Sequence, residues 1–180
     1  MVHGSNTSPA EALPTLTSEY RDAKLRRRLI VAALVVTALA LLHHLDHVIR
    51  GEIVVEEGKP HEWNHSGWPF QDAVTVFTAS LGVYVILLGG ILLTFRRRAW
   101  AGYWLGSTIF LLAIVVFVHF LGPDAETPRV VWRTYGGGVG AVLALTDLVA
   151  LLAALIVLGT QAFLVRRDSG RWRDIESSGR

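Results

Sequence analysis

The chain has no cysteine and a single methionine, Met1. The first absence excludes disulfides, iron–sulfur clusters and thiolate metal sites. Together the two disfavour copper(I) handling through soft sulfur ligands. Charge is sparse as well: Asp, Glu, Lys and Arg make up 18% of the 180 residues, against 52% hydrophobic. No apolar core of the signal-peptide kind occurs in the first 28 residues, so no cleavable leader is expected. Strict apolar–polar alternation is also missing, which excludes membrane β-strands.

What is present is apolar residues in four long runs: Leu29–Ile49, Ala73–Phe95, Ala99–Leu121 and Gly137–Val165. Each reaches or exceeds the roughly 20 residues that cross a hydrocarbon core about 30 Å thick. The expected fold class is an all-α integral membrane protein, a four-transmembrane-helix bundle. Residues 1–28 read as a largely disordered cytoplasmic tail, because Met1 to about Thr17 is small, polar and Pro-containing. Residues 166–180 read as a basic cytoplasmic tail. Gly82, Gly89, Gly90 and the GGGVG segment at 136–140 suit close helix packing.

The cations set the expected orientation. Of the 17 Lys and Arg, all but Arg50, Lys59, Arg129 and Arg133 fall in the N-terminal flank, the second connection or the C-terminal tail. Both termini are therefore expected in the cytoplasm (N-in/C-in) of a multi-pass cell-membrane protein. The connections at Gly51–Asp72 and Gly122–Gly136 are then external, the first being a long loop. The pI near 9.3 reflects this asymmetry and the lipid bilayer as partner, with no nucleic acid implied. EIVV at 52–55 reads as a short strand or an interfacial segment.

Six of the seven histidines fall at the expected external end: His43, His44 and His47 in LLHHLDHVIRG, His61 and His65 in HEWNHSGWP, and His119 in VFVHFLG. At about 100° per residue, His43, His44, Asp46, His47 and Arg50 occupy one face of the first helix: three imidazoles, a carboxylate and a guanidinium. Leu41, Leu42, Leu45, Val48 and Ile49 occupy the other. Asp46 and Arg50 stand at i, i+4 and are expected to pair. Polar groups at membrane depth are expensive, so such a face reads as functional.

Imidazole is the commonest transition-metal ligand. The expected metal ligands are His43, His44, Asp46, His47, His61, His65 and His119. The mixture of imidazole and carboxylate suits a transition metal ion such as Zn, Cu(II), Fe or Mn. If the site is catalytic, Asp46 or Glu62 is the candidate to move a proton from metal-bound water. Haem b held between His44 or His47 and His119 is the alternative cofactor. A non-catalytic accessory role in a larger membrane complex or homo-oligomer is the third reading. Asp147 lies about ten residues into the last run, roughly 15 Å deep at 1.5 Å per residue. Its expected partner is Tyr84, a threonine, a water-filled cavity or the histidine site.

Overall fold

The structure, a computed structural model, describes residues 9–56, 76–96, 101–122 and 125–178. Among these there is no strand. Four helical segments are long and apolar enough to cross a membrane: Ala23–Gly51, Phe77–Phe95, Ala101–Leu121 and Gly138–Arg167. They run up and down, and α6 packs against both α1 and α4.

Helix α1, Pro9–Glu56, has 48 residues, more than twice what a membrane requires. It takes in much of the stretch expected as a disordered tail. From Thr15 to Arg50 no glycine or proline interrupts it, and Pro9 occupies the first helical position, where its missing N–H has no intrahelical bond to lose. EIVV at 52–55 is helical too, neither strand nor separate segment. The first connection therefore starts after Glu56, and residues 57–75, with His61, Glu62 and His65, lie outside the described residues.

The second span is broken. Helix α2, Val76–Ser80, turns at Leu81–Gly82 into α3, Val83–Phe95. Leu81 N–H bonds Thr78 O at 3.3 Å and Gly82 N–H bonds Ala79 O at 3.1 Å, the tighter i→i+3 pattern. Helix α4, Ala101–Val116, ends in a π-helical turn at Phe117–Leu121. Gly122 N–H closes that turn on Phe117 O at 2.7 Å. The second connection, expected as a loop, contains a short helix α5, Pro128–Thr134. Its N-cap Thr127 accepts from Val130 N–H, and Pro128 starts the helix. Helix α6 is Gly138–Ser178.

The glycines divide by task. Gly136, Gly137 and Gly138 hold φ of +63°, +80° and +80°, the left-handed region that glycine enters without strain. They reverse the chain from α5 into α6, so this part of GGGVG serves a turn and not the expected packing. Gly90 is a packing residue: a Cβ there would lie 2.5 Å from the Tyr103 ring and 2.7 Å from Trp104. Its absence lets α3 close on α4.

The core repeats at helical spacing. Leu29, Ala33, Val36 and Ala40 of α1 meet Leu87 of α3, Trp104 and Leu111 of α4, and Leu151, Leu155, Leu158 and Ala162 of α6. Trp104 is fully buried, and its indole N–H donates to Thr94 Oγ1 at 2.8 Å. The opposite faces leave Leu41, Leu42, Val85, Ile109, Phe110, Val149 and Ile156 exposed. So broad an apolar surface is foreign to a water-soluble monomer and natural against lipid.

Candidate metal centre

The polar residues of the first helix converge on those of the third span at one end of the bundle. His43 and His47 are one turn apart on α1, so both project from the same face. His119 reaches them from the π-helical turn, a distortion that often re-aims a functional side chain. All three are buried, at 8%, 6% and 2% exposure respectively. One nitrogen from each lies within 4.8 Å of the others. His43 Nε2 is 3.0 Å from His47 Nε2 and 3.0 Å from His119 Nε2.

The opposite nitrogens face oxygen. His43 Nδ1 is 3.4 Å from Asp147 Oδ2. His47 Nδ1 is 3.5 Å from Glu126 Oε2. His119 Nδ1 is 3.1 Å from the Glu126 carbonyl oxygen. An imidazole nitrogen carries either a proton or a lone pair in its ring plane. Oxygen near each Nδ1 favours the proton there and a lone pair on Nε2, although His43 Nδ1 and Asp147 Oδ2, at 3.4 Å, make no hydrogen bond. His43 Nε2 has one such position and two neighbours, so the three rings cannot satisfy each other by hydrogen bonding. The three nitrogens are close enough together that they could hold one metal ion.

Glu126 is the keystone of the surrounding charges and is 2% exposed. Arg50, equally buried, donates from Nη2 to Glu126 Oε2 at 2.9 Å, and its Nη1 lies 2.7 Å from Oε1. Arg50 Nε donates to Asp46 Oδ2 at 2.8 Å, the expected i, i+4 pair. Tyr135, at the end of α5, donates from its hydroxyl to Asp46 Oδ1 at 2.6 Å. Burial, and then the Asp46 carboxylate, push the Tyr135 phenol above its ordinary pKa. It therefore stays a donor. Glu126 is placed by its own backbone, whose N–H bonds Val118 O at 3.0 Å. The chain from Tyr135 to His47 thus runs phenol, carboxylate, guanidinium, carboxylate, imidazole.

The structure sorts the residues singled out by sequence. His43, His47 and His119 are brought together. Asp46 is held on Arg50 and Tyr135 beside them. His44 stands apart: its Nδ1 donates to the Ala40 carbonyl at 2.8 Å, and its Nε2 is 2.8 Å from Ser80 Oγ. The Tyr84 hydroxyl is 3.1 Å from the same Nδ1. Both His44 nitrogens are thus engaged toward α2 and α3. Asp147 has the histidine site as its neighbour, through His43. Both its carboxylate oxygens are buried without a hydrogen bond among the described residues. His61, His65 and Glu62 fall outside the described residues. Glu126 is a site residue that the sequence pattern does not single out. Its one signal in the sequence is its place seven residues after His119.

No protein-family model, curated protein or solved structure matches the chain.

Proposed function

We propose that this is a multi-pass membrane protein that binds one transition-metal ion through Nε2 of His43, His47 and His119. The observation that carries the reading is the placement of the three rings: His43 Nε2 lies 3.0 Å from Nε2 of both His47 and His119, and oxygens of Asp147, Glu126 and the Glu126 backbone lie 3.1–3.5 Å from the three Nδ1 atoms. Metal-ligating histidines almost always donate their other N–H to such acceptors, which fix the ring and raise its basicity. Three nitrogens around a tetrahedral ion at about 2.0–2.1 Å stand roughly 3.4 Å apart, so a small outward shift admits the ion.

Charge supports a divalent ion. Asp46, Glu126 and Asp147, when ionised, bring three negative charges to a buried cluster in which Arg50 pairs with Asp46 and Glu126. Set against Arg50 alone, two negative charges remain, and an uncompensated buried charge costs several kcal/mol. The donor set lacks sulfur, which favours Zn, Cu(II) or Fe over copper(I). Three histidines leave a fourth position open, the pattern of catalytic rather than structural zinc. An ion there supplies acidified water or an oxygen-binding site. Glu126 and Asp147 orient the ligands, and Asp46 acts on them through Arg50. Ligation of haem b between two histidines would hold their Nε2 atoms about 4 Å apart across the porphyrin plane. Contact between the rings at 3.0 Å favours the bare ion. The charge asymmetry of the sequence puts the centre at the external end, with both termini in the cytoplasm.

Elemental analysis of the chain purified without chelator tests the centre. The expected result is about one equivalent of Zn, Cu or Fe. A chain that arrives metal-free and takes up neither Zn nor Cu(II) when offered them overturns it. A single cysteine at position 57 tests the orientation, since the chain has no other. Labelling from the cytoplasm alone reverses it.

A further inference from the structure

A second concavity lies at the opposite end of the bundle. It has a volume of about 550 Å³ and is walled by α1 and α6. Along α1 its lining is ordered: Lys24, Arg27 and Arg28 come first, then Val31 and Val35. These positions recur at three- and four-residue intervals, so they form one stripe. From residue 24 to residue 35 the stripe is roughly 16 Å long at 1.5 Å per residue. Ala154 and Val157 of α6 form the facing apolar wall. Lys24, Arg27 and Arg28 are exposed, whereas Arg26 beside them is half-buried and has an interaction of its own. Gln161 also lines the trough, and its amide oxygen is buried without a hydrogen bond among the described residues.

From this arrangement we propose that the trough is a binding site for one anionic phospholipid with a hydroxyl-bearing headgroup. The order of the stripe is the order of such a molecule. The phosphate sits among Lys24, Arg27 and Arg28, and an acyl chain lies along Val31, Val35 and Val157. A headgroup hydroxyl donates to the Gln161 oxygen. Cations placed at the end of an apolar span meet the lipid headgroups by position, and basic pockets between transmembrane helices bind anionic headgroups. The nearest of the three cations, Arg28, stands roughly 22 Å along α1 from His43 at 1.5 Å per residue, and the inference does not depend on the metal.

The test is lipid retention by the full-length protein. The protein is equilibrated in mixed micelles of phosphatidylglycerol and phosphatidylcholine, and bound lipids are counted by native mass spectrometry. One retained phosphatidylglycerol is expected, undisturbed by excess inorganic phosphate. Neutralising Lys24, Arg27 and Arg28 together (K24Q/R27Q/R28Q) lowers the preference by about fivefold per cation. Ala154→Phe fills the trough without changing charge and is expected to lower it as well. Val157→Phe does the same from a more exposed position, which guards against misfolding of the first. Arg166→Gln, at the same end but outside the lining, leaves retention unchanged. Equal retention of the two lipids by the native chain overturns the proposal, as does full retention in both filled variants. Loss in Arg166→Gln equal to that in the triple variant assigns the effect to a diffuse basic fringe and also overturns it.

Discussion

The two ends of the bundle use the same charged side chains in opposite ways. At the histidine end Arg50 is 2% exposed and held between Asp46 and Glu126. At the other end Lys24, Arg27, Arg28, Arg96 and Arg166 are exposed. The difference lies in what covers them. Residues 125–135 fold back over the histidine end and deliver Glu126 and Tyr135 to α1. Nothing comparable among the described residues covers the basic end. A charge taken out of water needs partners placed to fit it, so the covered end specifies a geometry. The uncovered end specifies no such geometry, and its sign is what the proposed orientation rests on.

Removing a ligand should break the comparison most severely. His47→Ala deletes one of three convergent nitrogens and is expected to abolish stoichiometric metal, a loss of at least about 100-fold in affinity. Arg166→Gln at the basic end should leave metal content unchanged, as should Lys59→Ala. Equal occupancy in His47→Ala and the native chain would return the histidines to a structural role. Chelator competition followed by elemental analysis measures the difference.

Glu126→Gln comes next. It keeps the shape of the side chain but leaves Arg50 with Asp46 alone and weakens the hold on His47. Partners of ligating histidines are worth about 10–100-fold in metal affinity. Breaking a buried ion pair costs about 3–5 kcal/mol. Both effects should appear together, as faster metal loss to chelator and a lower unfolding midpoint in detergent. Neutralising Arg28 at the exposed end should change stability by less than about 1 kcal/mol.

Much of this was legible in the sequence because helices and membranes obey period and length. Apolar runs located the four spans, and the polar face of LLHHLDHVIRG placed His43 and His47 together. His119 was legible only through topology, which brings the end of the third span beside the end of the first. The helical extent of residues 9–28 was not legible by composition, since a short polar stretch reads alike as tail or as helix extension. Glu126 was hidden for a different reason. Its role depends on a reversal at Gly122 and a backbone bond to Val118, and such geometry leaves no periodic trace. His44 lies about 100° round the helix from His43, and its nitrogens meet Ala40, Ser80 and Tyr84.

That divergence gives a finer test. His43 and His44 share composition, depth and helix, yet one turns to the cluster and the other to Ser80 and Tyr84. His44→Ala should reduce metal affinity less than tenfold while costing about 1–3 kcal/mol, because Ser80 and the Tyr84 hydroxyl lose a partner. His43→Ala should do the reverse in emphasis, emptying the site. If the two variants lose metal equally, the sorting of these neighbours is wrong.

The smallest effect belongs to the far end of the chain of contacts. Tyr135 touches no ligand and reaches His47 only through Asp46, Arg50 and Glu126. Tyr135→Phe removes one hydrogen bond to a carboxylate, worth about 1.5–3 kcal/mol at most, and should change metal affinity only a few-fold. Its signature is alkaline. The folded phenol has its pKa raised above the ordinary value of 10.0, first by burial and then by Asp46. A group raised in the folded state contributes its stability in full below the unfolded value and loses it as pH climbs through the folded one. The native chain should therefore lose a component of stability only above about pH 10, and Tyr135→Phe should lack that component. Denaturant midpoints on either side of this pH, read for both chains, separate a phenol held by Asp46 from one that merely fills space. Parallel alkaline loss in the two chains would show that the hydroxyl is not held there.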